Sequence, residues 1–394
     1  MKCRLCRLGS VDLHLDFGKQ PIVHDLLDRS DQSYRTFPFN VGYCPSCGFM
    51  QLIDNIPPEA LYKNYFTVSS WKSQPHVTRL MQLMEGVFDL NPRTRILEIG
   101  CNDGSFMEKL AENGYRNALG IEPTKDAYKL AEGRGLNVIN GFFGLTMAAT
   151  LAGKDRPDLI VSRQVIEHIP DLHEFLDGIY NVLQLNGGLV LELPDHSMNY
   201  ETLDYTFWEE HVNYFTLHTL TTLLAMHGFE TVHHESTLFS GKALFVFAQK
   251  KARGRQAQLI RNLDHERATR YKTLYPELQN SMRTFLENRA KSGIAVYGAG
   301  ARSCNFVNLL GLKDYVNVFI DDQLEKQNKY VPGSGRLIRP YIDDEDDKRF
   351  FLLGVNCENE PKVIRQRNLA AYASVLPPSR YLPDFWRALS HVGS

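Results

Sequence analysis

The sequence predicts an α/β fold: a parallel sheet covered by helices on both faces, with a small cysteine-bearing module before it and a second α/β region after it. Three observations carry that prediction. Two Cys-x-x-Cys pairs fall within the first 50 residues. From residue 76 short apolar runs alternate with helix-length segments, the pattern of a parallel sheet. The same alternation resumes at Ile294, after a charged, helical stretch.

Residues 1–70 hold Cys3-Arg-Leu-Cys6 and Cys44-Pro-Ser-Cys47, with few long periodic segments and many turn-prone residues. So small a module needs a cross-link to be stable. Four thiolates at the ends of two turns can converge tetrahedrally on one zinc ion, and a closed four-sulfur site is structural because it leaves no position for water. Unmetallated cysteines or a redox pair remain open alternatives, because the spacer between the pairs is longer than in a zinc ribbon. Cys101, Cys304 and Cys357 bring the total to seven. An odd number suits a reducing compartment better than a disulfide framework.

Residues 71–250 form the second domain. A helical stretch from His76 leads to the strand Ile96–Ile99, and further strands are expected at Ala118–Ile121, Val138–Ile139, Leu159–Val161 and Leu189–Leu193. Helices start near Gly104, Thr124, Thr146, Asp171 and Leu217. A long loop, 194–215, follows the fifth strand. Glu230–His234 and Ala243–Ala248 then close the sheet, the second of them able to pair antiparallel. Residues 251–394 hold a connector, expected as a helix pair reaching about Lys291, and the second α/β region.

Composition narrows the function. With 43% hydrophobic and 23% charged residues the chain is globular. Its 44 Lys and Arg against 46 Asp and Glu leave no basic field to hold a nucleic-acid backbone, so no nucleic-acid partner is expected. No apolar run of about 18 residues is present, so no membrane span is expected. The opening MKCRLCRLGS lacks a signal-peptide core, and a cytoplasmic location follows. The oligomeric state cannot be read.

The strand Ile96-Leu-Glu98-Ile runs into Gly100-Cys-Asn102-Asp-Gly104-Ser and then a helix. That turn stands at the carboxyl end of the first parallel strand, where open α/β sheets bind ligands. It matches neither the dinucleotide fingerprint nor a phosphate-binding loop. Glu122 ends the second strand about 20 residues on, where a carboxylate accepts hydrogen bonds from ribose hydroxyls. An adenosine-type cofactor fits both features.

These residues, Glu98 to Gly104 followed by Gly120-Ile-Glu122-Pro, resemble the S-adenosylmethionine motif of class I methyltransferases, whose sheet is seven-stranded. The cysteine pairs with Gln51-Leu52, the Asn64-Tyr65 segment, the loop Glu210-His211-Val-Asn-Tyr214-Phe215 and the carboxyl-terminal Gly298-Ala-Gly-Ala-Arg302 extend the likeness over nearly the whole chain. The set resembles three-domain sugar C-methyltransferases acting on carbon 3 of nucleotide-linked 4-keto-deoxysugars. The resemblance implies a structural zinc domain, a Rossmann-like carboxyl-terminal domain and a nucleotide-sugar substrate. It places Glu98 and Asn102 near the methionine end of the cofactor and Glu122 on its ribose.

Gln164, after the fourth strand, is expected to line the pocket near the sulfonium, while neighbouring His168 reads as a helix-start or packing residue. Phe142 and Phe143 follow the third strand and read as core or as an adenine stack. Carbon–carbon bond formation requires removal of a proton beside a carbonyl and stabilisation of the enolate. His211 suits either role, with Glu210 as its orienting or carboxylate partner and Tyr65 or Tyr214 as further candidates. Trp208 stands where the family has a tyrosine, and indole cannot exchange a proton. Arg302 and Lys326 are candidates for the substrate's phosphates. Three alternatives remain: an NAD-dependent oxidoreductase built on residues 294–330, where Ser303 replaces the third glycine of the fingerprint, a methyltransferase for a different small molecule, and a non-catalytic zinc-ribbon scaffold.

Overall fold

The structure is a computed structural model and describes residues 1–61, 76–153, 155–203, 205, 207–239, 241–253, 261–355 and 359–375. Its amino-terminal module is an antiparallel sheet of β1 (Asp12–Pro21), β2 (Thr36–Tyr43) and β3 (Met50–Leu52). The register between β1 and β2 shifts twice, between Leu13 and Leu15 and between Asp16 and Lys19. Such irregularities break the two-residue alternation by which strands are read from sequence, so the sequence marks this part only as turn-prone.

The central sheet contains β4 (Ile96–Ile99), β5 (Ala118–Glu122), β6 (Val138–Asn140), β7 (Leu159–Arg163) and β8 (Gly188–Pro194), all parallel. The intervening helices start within a residue of their expected positions. Capping explains the sharpness of two of these starts. Asp171 accepts the backbone N–H groups of His173 and Glu174, and Thr216 with Thr219 forms a capping box.

The expected loop 194–215 is more structured than its sequence suggests. It contains the helix Ser197–Thr202 and the two-residue strand β9 (Asn213–Tyr214), which leaves the central sheet and pairs with β3, Met50 opposite Tyr214. The chain then returns for β10 (Phe229–Leu238) and β11 (Lys242–Lys250). The seven strands run in the order β10-β11-β8-β7-β4-β5-β6, with β11 antiparallel to both neighbours.

Among the described residues the connector is one helix, His265–Glu287, where a helix pair is expected. Pro276 lies inside it. Burial of Tyr271, Tyr275, Leu278, Met282 and Phe285 against both flanking domains holds the helix together despite the lost hydrogen bond. The carboxyl-terminal sheet is parallel throughout, in the order β14 (Ile338–Arg339), β13 (Val318–Ile320), β12 (Ile294–Tyr297), β15 (Phe350–Leu353) and β16 (Tyr372–Ser374).

The three sheets share cores. One apolar cluster joins Val41 and Leu52 of the amino-terminal sheet to Tyr205, Phe207, the long helix and Phe306 of the carboxyl-terminal domain. A backbone bridge between Leu27 and Tyr330 ties the two ends directly. Glu209 sits where all three parts meet: its buried carboxylate accepts Val23 N–H at 2.8 Å and the Asn305 amide at 3.4 Å. No helix among the described residues is long and apolar enough to cross a membrane.

Candidate active site

The four predicted cysteines converge. Cys3, Cys6, Cys44 and Cys47 are buried, and their sulfurs lie within 4.8 Å of one another. Cys3 to Cys47 is 3.6 Å and Cys6 to Cys44 is 3.7 Å. Tetrahedral zinc with bonds of about 2.3 Å needs sulfurs roughly 3.8 Å apart, so the donor set fits the ion. Gly48, at φ 78°, turns the second pair, with its N–H donating to Cys44 C=O. The module is also sewn to the central domain: the Arg4 guanidinium donates to the carbonyls of Leu52 and Val212, and His173 to Leu5 C=O.

The glycine loop crosses the carboxyl end of β4, between β5 and β7, where the chain reverses direction across the sheet. Gly100, Asn102 and Gly104 all have positive φ, at 76°, 50° and 80°. A Cβ on Gly100 would lie 2.4 Å from Val165, and one on Gly104 2.2 Å from Leu136. Glu122 closes β5 with its carboxylate accepting the N–H groups of Asn102 and Thr124 at 2.9 and 2.8 Å. Two buried acceptors on this loop have no hydrogen-bond partner, Glu98 Oε2 and Asn102 Oδ1. Burial lifts the Glu98 carboxyl to about 8, against the pull of Arg163. An unpaired carboxyl and amide oxygen beside a loop that excludes side chains fit the amino-acid end of S-adenosylmethionine.

Gln164 follows β7 with φ 54°. Its amide donates to Glu192 at 3.2 Å. Glu192 itself is fully buried, yet Arg163 at 2.7 Å and His76 at 3.1 Å outweigh the desolvation and hold its carboxyl at about 2. Sequence reading missed this cluster, although acidic residues inside the apolar strands Ile96–Ile99 and Leu189–Leu193 are a usable signal, since unpaired carboxylates are rarely buried. Phe142 and Phe143 part company: Phe143 packs edge-on against Phe175, while Phe142 is 74% exposed.

The loop 207–215 lies beside this cluster. Val212 N–H donates to Glu167 C=O at 2.9 Å, Asn213 donates to the carbonyls of Ile166 and Ile169, and His168 Nδ1 donates to Glu210 C=O at 3.0 Å. His168 also packs against the loop. Its ring meets that of His211 edge-on at 4.8 Å. Among the described residues no hydrogen bond joins the Glu210 and His211 side chains, the pair expected from sequence, and Glu210 Oε2 is buried without a hydrogen-bond partner. The carboxyl that stands with the two histidines is Glu167, a residue the sequence reading passed over. Tyr214 is engaged elsewhere, its hydroxyl accepting Trp208 N–H and donating to Trp208 C=O, both at 3.2 Å. Tyr65 lies outside the described residues.

In the carboxyl-terminal domain Arg302 lies in the first turn of the helix Ala301–Leu309 and is buried, its guanidinium 5.8 Å from the Tyr205 ring. Lys326 pairs with Asp321 at 3.3 Å, and Asp321 also accepts Ala299 N–H at 2.7 Å. The Ser303 hydroxyl donates to Gly298 C=O and Gly300 C=O.

Comparison with known proteins agrees with this architecture. Residues 74–234 match a family model described as a methyltransferase domain, 3–62 one of a proposed zinc binding domain, and 240–363 one of a C-methyltransferase C-terminal domain. The C-methyltransferase NovU of Streptomyces niveus is 27% identical over 354 residues, covering 84% of each chain. A trans-aconitate 2-methyltransferase of Variovorax paradoxus (strain S110) is 27% identical over 138 residues, 35% of this chain and 49% of that one. A solved S-adenosylmethionine-dependent methyltransferase from Archaeoglobus fulgidus is 21% identical with a TM-score of 0.38, over 45% of this chain and 95% of the other. The chain is an S-adenosylmethionine-dependent methyltransferase. Zinc binding and C-methyltransferase models flank the methyltransferase model in order, so the chain is similar to C-methyltransferases over most of its length.

Proposed function

We propose that the protein methylates carbon 3 of a nucleotide-linked 4-keto-deoxysugar through an enolate. The observation that carries this reading is the group of buried Glu167 with half-buried His168, Glu210 and His211, adjoining Gln164 and Glu192 at the carboxyl ends of the central strands. Such a group suits proton transfer beside a carbonyl. S-Adenosylmethionine, when bound, supplies the methyl group as an electrophile. Gly100 and Gly104 admit it, Glu98 and Asn102 face its amino-acid end, Glu122 takes its ribose and Gln164 lines the pocket near the sulfonium. The loop residues Glu210 and His211 divide proton removal and enolate stabilisation. Arg302, at a helix amino terminus, and Lys326 meet the substrate's diphosphate. Incubating a nucleotide-linked 4-keto-deoxysugar with the enzyme in heavy water, without methyl donor, should exchange the carbon 3 proton. Absence of exchange across such sugars would overturn the reading.

Two further outcomes concern the cofactor. Glu122→Ala should weaken S-adenosylmethionine binding, the lost charge-assisted hydrogen bonds contributing on the order of 1.5–3 kcal/mol each; unchanged affinity by calorimetry would remove Glu122 from the site. Glu98, raised to about 8, is protonated in the free enzyme below that pH. A ligand ammonium favours the ionised form, so binding drives the proton off. Affinity therefore rises with pH up to about 8, and binding at about pH 7 releases close to one proton. Calorimetry in two buffers of different ionisation enthalpy measures that proton directly, and zero release would exclude the contact.

A further inference from the structure

Glu167 is 1% exposed, and neither carboxylate oxygen has a hydrogen-bond partner. A buried, unpaired carboxyl is costly to a fold, and here it lies within 4.8 Å of donor atoms of both His168 and His211. Its placement is enforced. The turn Ile166–His168 that carries it is tied to the loop 207–215 by the hydrogen bonds from Val212, Asn213 and His168 already described. Because a carbonyl can only accept, His168 Nδ1 carries the proton given to Glu210 C=O. The titratable groups around Glu167 are Glu192, Glu210 and the two histidines. Burial and the two carboxylates push the Glu167 carboxyl well above its usual range. Burial and the neighbouring His168 push His211 well below its own. An acid kept protonated beside an imidazole kept neutral is suited to donating a proton, while an imidazole so desolvated is a poor base.

We propose that Glu167 is the proton source behind His211, which acts as the donor to the enolate oxygen, with the Glu210 carboxylate as the base. The inference rests on the enolisation reading above and assigns its two halves. In the step, the substrate's carbon 3–hydrogen bond breaks and its proton goes to Glu210. The electron pair moves to the carbonyl oxygen, which takes a proton from His211. His211 regains one at its other nitrogen from Glu167. The result is an enol, a carboxylate at Glu167, a neutral His211 of the opposite tautomer and a protonated Glu210, with protons and charge conserved. Reversal in heavy water returns deuterium to carbon 3.

Glu167→Gln separates this role from a structural one. Glutamine keeps the size and neutrality of a protonated glutamate but has no transferable proton, so a packing role survives and a proton-donating role does not. Carbon 3 exchange without methyl donor should fall roughly 10²–10⁴-fold, while melting temperature and S-adenosylmethionine affinity stay at wild-type values. Glu167→Asp, which keeps the acid, should restore part of the exchange. The infrared difference spectrum of wild-type minus Glu167→Gln protein at neutral pH should show a carboxylic-acid band of Glu167, over the band that Glu98 gives in both, a measurement independent of turnover. If wild-type enzyme exchanges the proton and Glu167→Gln does so at the same rate, or the band is absent, the inference is wrong although enolisation stands. If wild-type enzyme does not exchange it, the enolisation reading fails first.

Discussion

Cys44→Ser should strip zinc from the protein and unfold its amino-terminal sheet. Apparent binding energies for structural zinc are about 10–16 kcal/mol, comparable to or larger than the whole stability of a domain, about 5–15 kcal/mol. The module has little core of its own, since the register of β1 against β2 is irregular and its apolar residues pack mainly into cores shared with the other domains. The damage should spread beyond the module. β3 is the partner of β9, and Arg4 anchors Val212, so unfolding frees the loop that carries Glu210 and His211. Metal analysis should give about one zinc per wild-type chain and a large loss in the variant, with a lowered thermal midpoint and lost turnover. Folded, active protein free of zinc would refute the structural role.

His211→Asn should lower carbon 3 exchange and turnover together, by roughly 10²–10⁴-fold, because it removes the group that shares a proton with the substrate. Asparagine retains some hydrogen-bonding capacity but neither transfers nor accepts a proton near neutral pH. Cofactor affinity should not move, since the glycine loop, Glu98 and Glu122 belong to β4 and β5. The side chain is half-buried beside His168 and Trp208, so a modest loss of packing is expected without unfolding. Exchange and turnover at wild-type rates in His211→Asn would make His211 structural. Because the Tyr214 hydroxyl is already committed to Trp208, the role would then pass to Tyr65.

Most of the central domain was legible because its signals are local. Apolar runs such as Ile96–Ile99 are strands buried on both faces, glycines at 100 and 104 mark a turn that tolerates no side chain, and caps at Asp171 and Thr216 start helices where expected. The cysteine spacing likewise announced its zinc site. The limits of local reading show at the loop 194–215, where a two-residue strand finds its partner more than 160 positions earlier in the chain, at β3. Neither segment is long enough to carry a period of its own. At Pro276 the tertiary structure again prevails: the local penalty of a proline inside a helix is overridden by burial of one face of the long helix against two domains.

The amino-acid sequence by itself pointed to the cofactor, because the glycine loop and Glu122 are short contiguous motifs whose geometry is set within a few residues, and to the reaction class through the family resemblance spread along the chain. Only the tertiary structure decided which acid faces His211. Adjacent residues on an irregular loop point in unrelated directions, so Glu210 is neighbour to His211 in the chain without bonding to it. Glu167, 44 positions earlier, is brought to the two histidines by hydrogen bonds between the turn that follows β7 and the loop that follows β8.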